Sequence, residues 1–106
     1  MDLYGIQDPG KRCVGILREV AKIAGCKVLA QKEHTFKVEG GRTALILLST
    51  SHASIHTWPE HRYASFDLYS CRELPGETVK RVVAYIRDMT FSERHTVQVI
   101  PRGHAV

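Results

Sequence analysis

The stretch TALILLSTSHASIHTWPEHRYASFDLYSC, residues 43–71, decides the fold. Its first eight residues, Thr43 to Thr50, are almost wholly apolar, the pattern of a central strand covered on a face by helices. His52 to Trp58 then alternates polar with apolar until Pro59 ends the run, and Tyr63 to Cys71 alternates again. Three strands in succession with short connections pair antiparallel, so this stretch predicts the middle of an antiparallel sheet.

The flanks supply the second layer. Residues 2–6 read as a first strand, broken by Asp8-Pro9-Gly10. Asp8 fits a helix N-cap, with Pro9 at the first helical position. From Lys11 to Ala24 the apolar residues Cys13, Ile16, Leu17, Val20, Ala21, Ile23 and Ala24 keep helical spacing, and Gly25 is placed to close the helix. Lys27 to Lys37 reads as a strand and Gly40-Gly41 as a turn. Pro75-Gly76 opens a second helix with Val79, Val82, Val83 and Ile86 on one stripe, and Thr96 to Ile100 reads as a closing strand. The order β-α-β-β-β-β-α-β leaves two apolar helix stripes needing a sheet face. The expected fold is therefore α/β of the α+β kind: a two-layer sandwich, its sheet mainly antiparallel, with two helices packed on one face.

Bulk properties set limits on function. The chain has 106 residues, which suits one domain spanning 1–106. Hydrophobic content of 43% and charged content of 25% are ordinary for a globular protein. The net charge of +4 is mildly basic, but no block of five Lys or Arg occurs, which argues against nucleic acid. No apolar run approaches the ~18 residues that span a bilayer. The N-terminus lacks a basic region followed by an apolar one, so the expected compartment is the cytoplasm. Cys13, Cys26 and Cys71 are odd in number and widely spaced, which indicates neither a disulfide framework nor a zinc knuckle.

Chemistry concentrates in Thr50 to Glu60, where a Ser, two His, a Trp and a Glu follow an apolar strand. His52 and His56 share a face if the segment is a strand, but i and i+4 then lie ~13 Å apart. One metal cannot bridge that distance, so no metal is expected from these two with Cys71. The segment SHASIHTWPEHRYASFDLYSC, residues 51–71, resembles the processing and active-site segment of the prokaryotic S-adenosylmethionine decarboxylases, and His34-Thr35-Phe36 resembles that family's His-x-Phe strand. The Ser-His, Ile-His-Thr-Trp-Pro-Glu and Tyr-Ala…Asp…Cys elements match in order and spacing.

The resemblance implies a proenzyme that cuts itself between Thr50 and Ser51, leaving a β chain, 1–50, and an α chain, 51–106. Ser51 would become a covalent pyruvoyl group that forms a Schiff base with the substrate amine and acts as electron sink, without pyridoxal phosphate or metal. His56 would assist processing, Thr43 would support it where the family usually has Ser, and Cys71 would donate the proton in decarboxylation. Glu60 would bind ribose hydroxyls, with Trp58 and Phe36 as aromatic walls of the substrate pocket. The product would be the aminopropyl donor for spermidine synthesis. The partners expected are this small-molecule substrate and a second copy of the chain, with the active sites near the interface of the homodimer, because one open sheet face would otherwise expose apolar surface. Two positions depart from the family: Thr50 stands in place of Glu before the cut, and Arg72 follows the cysteine in place of Gly. Two alternatives stay open, a divergent member that decarboxylates arginine or ornithine, and an unprocessed paralogue that binds a ligand without catalysis.

Overall fold

Alternation along the quoted stretch gives each strand one face for the core and one for the outside. The computed structural model describes residues 1–103, so the last three residues of the expected domain lie outside the described residues. Six strands form one sheet: β1 (Asp2–Tyr4), β2 (Val28–Thr35), β3 (Arg42–Leu48), β4 (Ser51–Trp58), β5 (Tyr63–Tyr69) and β6 (Arg94–Thr96). Their order across the sheet is β2-β3-β4-β5-β1-β6, and every neighbouring pair is antiparallel. Two helices, α1 (Cys13–Ile23) and α2 (Gly76–Thr90), cover one face, as the α+β two-layer expectation requires. No helix among the described residues is long and apolar enough to cross a membrane.

The core lies between sheet and helices. Residues Ala44, Ile46 and Leu48 of β3 and Ala53 and Ile55 of β4 point into it, alternating with outward neighbours as a period of two demands. Helix α1 buries Cys13, Ile16, Leu17, Val20 and Ala21, the spacing of one apolar stripe. Burial pushes the Cys13 thiol pKa up to about 11, so this cysteine packs as a small hydrophobe. Gly25 adopts a φ of 73° just past the helix, a left-handed turn that favours glycine.

The structure corrects several boundaries. Residues Gly10–Arg12 form a 3-10 turn before α1, and Pro9 precedes that turn instead of starting the helix. Asp8 still caps locally, its Oδ1 accepting from Gly10 N–H at 3.2 Å. The largest difference is the closing strand. The sequence predicts Thr96–Ile100, whereas β6 is Arg94–Thr96 and Val97–Ile100 lie outside the sheet. The physical reason is the ladder itself: Thr96 pairs with Asp2, the first residue of β1, and the Met1 backbone before it bonds Phe66 of β5 instead of Val97.

The other sheet face has no covering layer among the described residues. It carries Leu45 and Leu47 of β3, His52, Ser54, His56 and Trp58 of β4, and Tyr63 and Tyr69 of β5. Leu45 and Leu47 are about half exposed, at 46% and 51%.

Candidate active site

The hairpin joining β3 to β4 has only two residues in its turn, Ser49 and Thr50, because Leu48 pairs with Ser51. Thr50 adopts a φ of 59°. A β-branched residue in the left-handed region is rare, since its Cβ crowds the following carbonyl. The strained residue thus supplies the carbonyl of the Thr50–Ser51 peptide. Ser51 opens β4 and is buried, on the core side with Ala53 and Ile55.

Cys71, just beyond β5, reaches both residues. Its backbone N–H donates to Ser51 Oγ at 3.2 Å, and Thr50 Oγ1 lies 2.8 Å from its Sγ. The thiol is exposed, and its pKa is lowered chiefly by the Thr50 hydroxyl, with further help from Ser51, its own backbone and the Arg72 charge. A serine hydroxyl, a strained peptide and an acidified thiol therefore meet at one end of the sheet. The sequence-predicted pair Ser51 and Cys71 is brought together here.

The other predicted residues gather at the opposite end of β4. Thr43 and His56 are cross-strand partners, and Thr43 Oγ1 lies 3.0 Å from His56 Nδ1. Phe36, Thr43, His56, Trp58 and Glu60 line one cavity of about 570 Å³. Phe36 packs edge-on against His34, with ring centroids 4.7 Å apart. Trp58 lies between His56 and Tyr63, at 6.1 and 5.2 Å. The row continues to Tyr4, which carries the Arg94 guanidinium at 4.5 Å from its ring. The phenol of Tyr63 bonds Asp2, and that bond pushes its pKa up to about 12.

The two clusters do not meet within one chain. Ser51 and His56 are five residues apart on a strand, which puts their side chains on opposite faces and roughly 16 Å apart along it. His52 stacks on Tyr69 at 5.3 Å, and Arg102 lies over the same Tyr69 ring, also at 5.3 Å. Sequence reasoning missed that stack, because it draws together residues far apart in sequence. It also missed the backbone state of Thr50, for which the only signal is a two-residue gap between alternating runs. Among the described residues, no group of three or more His, Cys, Asp or Glu is arranged to hold a metal ion.

Comparison with known proteins bears on the fold and the family. A family model described as S-adenosylmethionine decarboxylase matches residues 2–103. The chain is 35% identical over 112 residues to the S-adenosylmethionine decarboxylase proenzyme of Sulfurihydrogenibium sp., an alignment covering 96% of this chain and 84% of that one. It is 37% identical to the proenzyme of Persephonella marina, covering 96% and 77% of the two chains. The Clostridium botulinum (strain Langeland) proenzyme is 31% identical over 97% of this chain and 90% of its own. The crystal structure of the Aquifex aeolicus adenosylmethionine decarboxylase superposes with a TM-score of 0.69 at 27% identity, covering 95% of this chain and 88% of that one.

Proposed function

The chain belongs to the S-adenosylmethionine decarboxylase family, and from that premise we propose that it is a self-processing carboxy-lyase acting on S-adenosylmethionine. The observation that carries the processing reading is the Thr50–Ser51 peptide, held at a left-handed Thr50 with Cys71 touching both of its residues. In this reading Ser51 Oγ attacks the Thr50 carbonyl carbon, and the amide becomes an ester as the nitrogen is released. Loss of the Ser51 α-proton expels Thr50 as a carboxylate and leaves dehydroalanine at position 51. Its imine tautomer takes up water and loses ammonia, which leaves a pyruvoyl group at the start of the 51–106 chain.

Position 51 fits that group. The side chain is buried, and the Cys71 N–H already points at an oxygen there. A pyruvoyl carbonyl supplies the electron sink needed when CO₂ departs from a substrate amine. Cys71 beside it, and the cluster at the far end of β4 supplied by a second chain, do the rest. Cys71 returns a proton to the substrate carbon, from a thiol next to the reacting position. Glu60 accepts from the ribose hydroxyls, while Trp58 and Phe36 stack on the purine and sulfonium ends of the substrate. The decarboxylated product serves as the aminopropyl donor for spermidine synthesis.

The distance between the clusters supports a homodimer. The His56–Thr43 pair cannot reach Ser51 of its own chain, but it sits on the uncovered sheet face beside Leu45 and Leu47. A two-fold axis crossing β4 near its middle would set the Ser51 end of one strand over the His56 end of the other. His56 would then relay protons during cleavage of the opposite chain, with the Thr43 hydroxyl fixing its ring. Release of CO₂ from carboxyl-labelled S-adenosylmethionine tests the activity. Release is expected from the native chain and lost in Ser51→Ala. Release from arginine or ornithine instead would move the chain to a different substrate, and none from any of the three would contradict the enzymatic reading.

A further inference from the structure

Arg72 connects the cysteine loop to helix α1. Its Nη2 donates to the backbone carbonyl of Ala24, the residue capping the helix, at 2.9 Å. Gly25 leaves room for it: a Cβ built there would lie 3.3 Å from Nη2, so most side chains would crowd the guanidinium. The bond is charge-assisted, and the carbonyl end of a helix carries partial negative charge that favours a cation.

The same helix end holds the other half of the site. Ser49 N–H donates to the Lys27 carbonyl at 3.0 Å, so the turn carrying Thr50 is tied down two residues past Gly25. Residues adjoining Thr50 and Cys71 are therefore anchored on one short segment, residues 24–27. Between these anchors sit the two direct contacts of Cys71, to Thr50 Oγ1 and Ser51 Oγ.

We propose that Arg72 is a positioning residue: by clamping the loop after β5 to the end of α1, it holds Cys71 against the Thr50–Ser51 bond. Because Ala24 precedes that bond and Arg72 follows it, the clamp also ties the two fragments together once the chain has parted. The second consequence rests on the self-processing reading; the clamp itself does not. Arginine suits the task because its guanidinium stays charged at any working pH and presents several donors in a fixed plane.

The test follows Cys71 alkylation by iodoacetamide against pH, read by peptide mass spectrometry, in the uncut Ser51→Ala chain. Besides Arg72, the charged residues that line the same cavity of about 630 Å³ as Cys71 are Asp67, Glu73 and Arg102, with the N-terminal Met1. Those groups are unchanged in every variant compared. Arg72→Ala and Arg72→Gly are expected to move half-maximal alkylation to higher pH, Arg72→Lys to restore most of the shift, and Arg81→Ala on α2 to leave it in place. A loss of stability alone lowers the melting temperature without moving that profile. With Ser51 present, Arg72→Ala should slow cleavage on the order of tenfold, the scale of a small misplacement of reacting groups. An unchanged alkylation profile in Arg72→Ala would overturn the clamp. If the profile moves while the native chain never cuts, the clamp stands and the processing reading fails.

Discussion

Thr50 Oγ1 lies 2.8 Å from Cys71 Sγ and 2.6 Å from the Ser49 carbonyl oxygen. A hydroxyl has one proton and cannot donate to both. With the thiol protonated, S–H donates to Oγ1 and the hydroxyl proton goes to Ser49. With the thiolate, the hydroxyl turns to the sulfur. The second arrangement favours the anion, which is why the Cys71 pKa is lowered. Thr50→Val keeps the shape and deletes the donor. In the Ser51→Ala chain we expect it to move the alkylation midpoint of Cys71 to higher pH, and an unmoved midpoint would remove Thr50 as the cause.

The left-handed backbone at Thr50 carries its own prediction. Glycine adopts that conformation without a Cβ clash. Thr50→Gly in the uncut Ser51→Ala chain should therefore gain on the order of 1 kcal/mol, less the entropy that glycine adds to the unfolded chain. Urea denaturation reads it, and a clear loss of stability would argue that the turn is unstrained. In the Ser51 chain the same change should slow cleavage, since the relaxed peptide starts lower in energy.

The uncovered sheet face makes a prediction about assembly. Leu45 and Leu47 are half exposed on it, whereas Leu17 is fully buried in α1. Leu47→Asp should leave the fold intact and give a monomer by sedimentation equilibrium. By contrast, Leu17→Ala should cost about 2–5 kcal/mol in either state, the usual cost of emptying a core site. A Leu47→Asp chain that stays dimeric would place the interface elsewhere.

Tyr63 provides a pH test. Its bond to Asp2 favours the neutral phenol and raises its pKa from 10.0 to about 12. The unfolded chain releases that proton earlier, so the contribution is intact below pH 10 and is lost as the pH climbs toward 12. Absorbance titration of tyrosinate should show Tyr63 ionising late, as does Tyr85, whose phenol burial pushes up, and Asp2→Asn should lower the Tyr63 step alone. A late tyrosinate step left unchanged by Asp2→Asn would contradict the bond.

Much of the fold was legible because it rests on periodicity. The alternation in HASIHTW puts Ala53, Ile55 and Thr57 inside and His52, His56 and Trp58 outside, as found. The stripe from Cys13 to Ala21 likewise places α1. The closing strand was misplaced because Val97–Ile100 has strand composition but, among the described residues, no strand to pair with, a fact of ladder length and not of propensity. At the site, residue types pointed to Ser51, His56 and Cys71, yet period-two geometry alone separates Ser51 from His56. The Arg72 tether left no readable signal and the turn state of Thr50 only the short gap between strands, because a tether to a helix end and a backbone dihedral depend on partners beyond the local pattern.

Whether the chain parts between Thr50 and Ser51 is read from the mass spectrum of the purified protein. Two fragments are expected, residues 1–50 and 51–106, the second lighter by one ammonia than a serine-ended fragment, with a single uncut species for Ser51→Ala. A native chain that keeps its full mass after long incubation would contradict the cut.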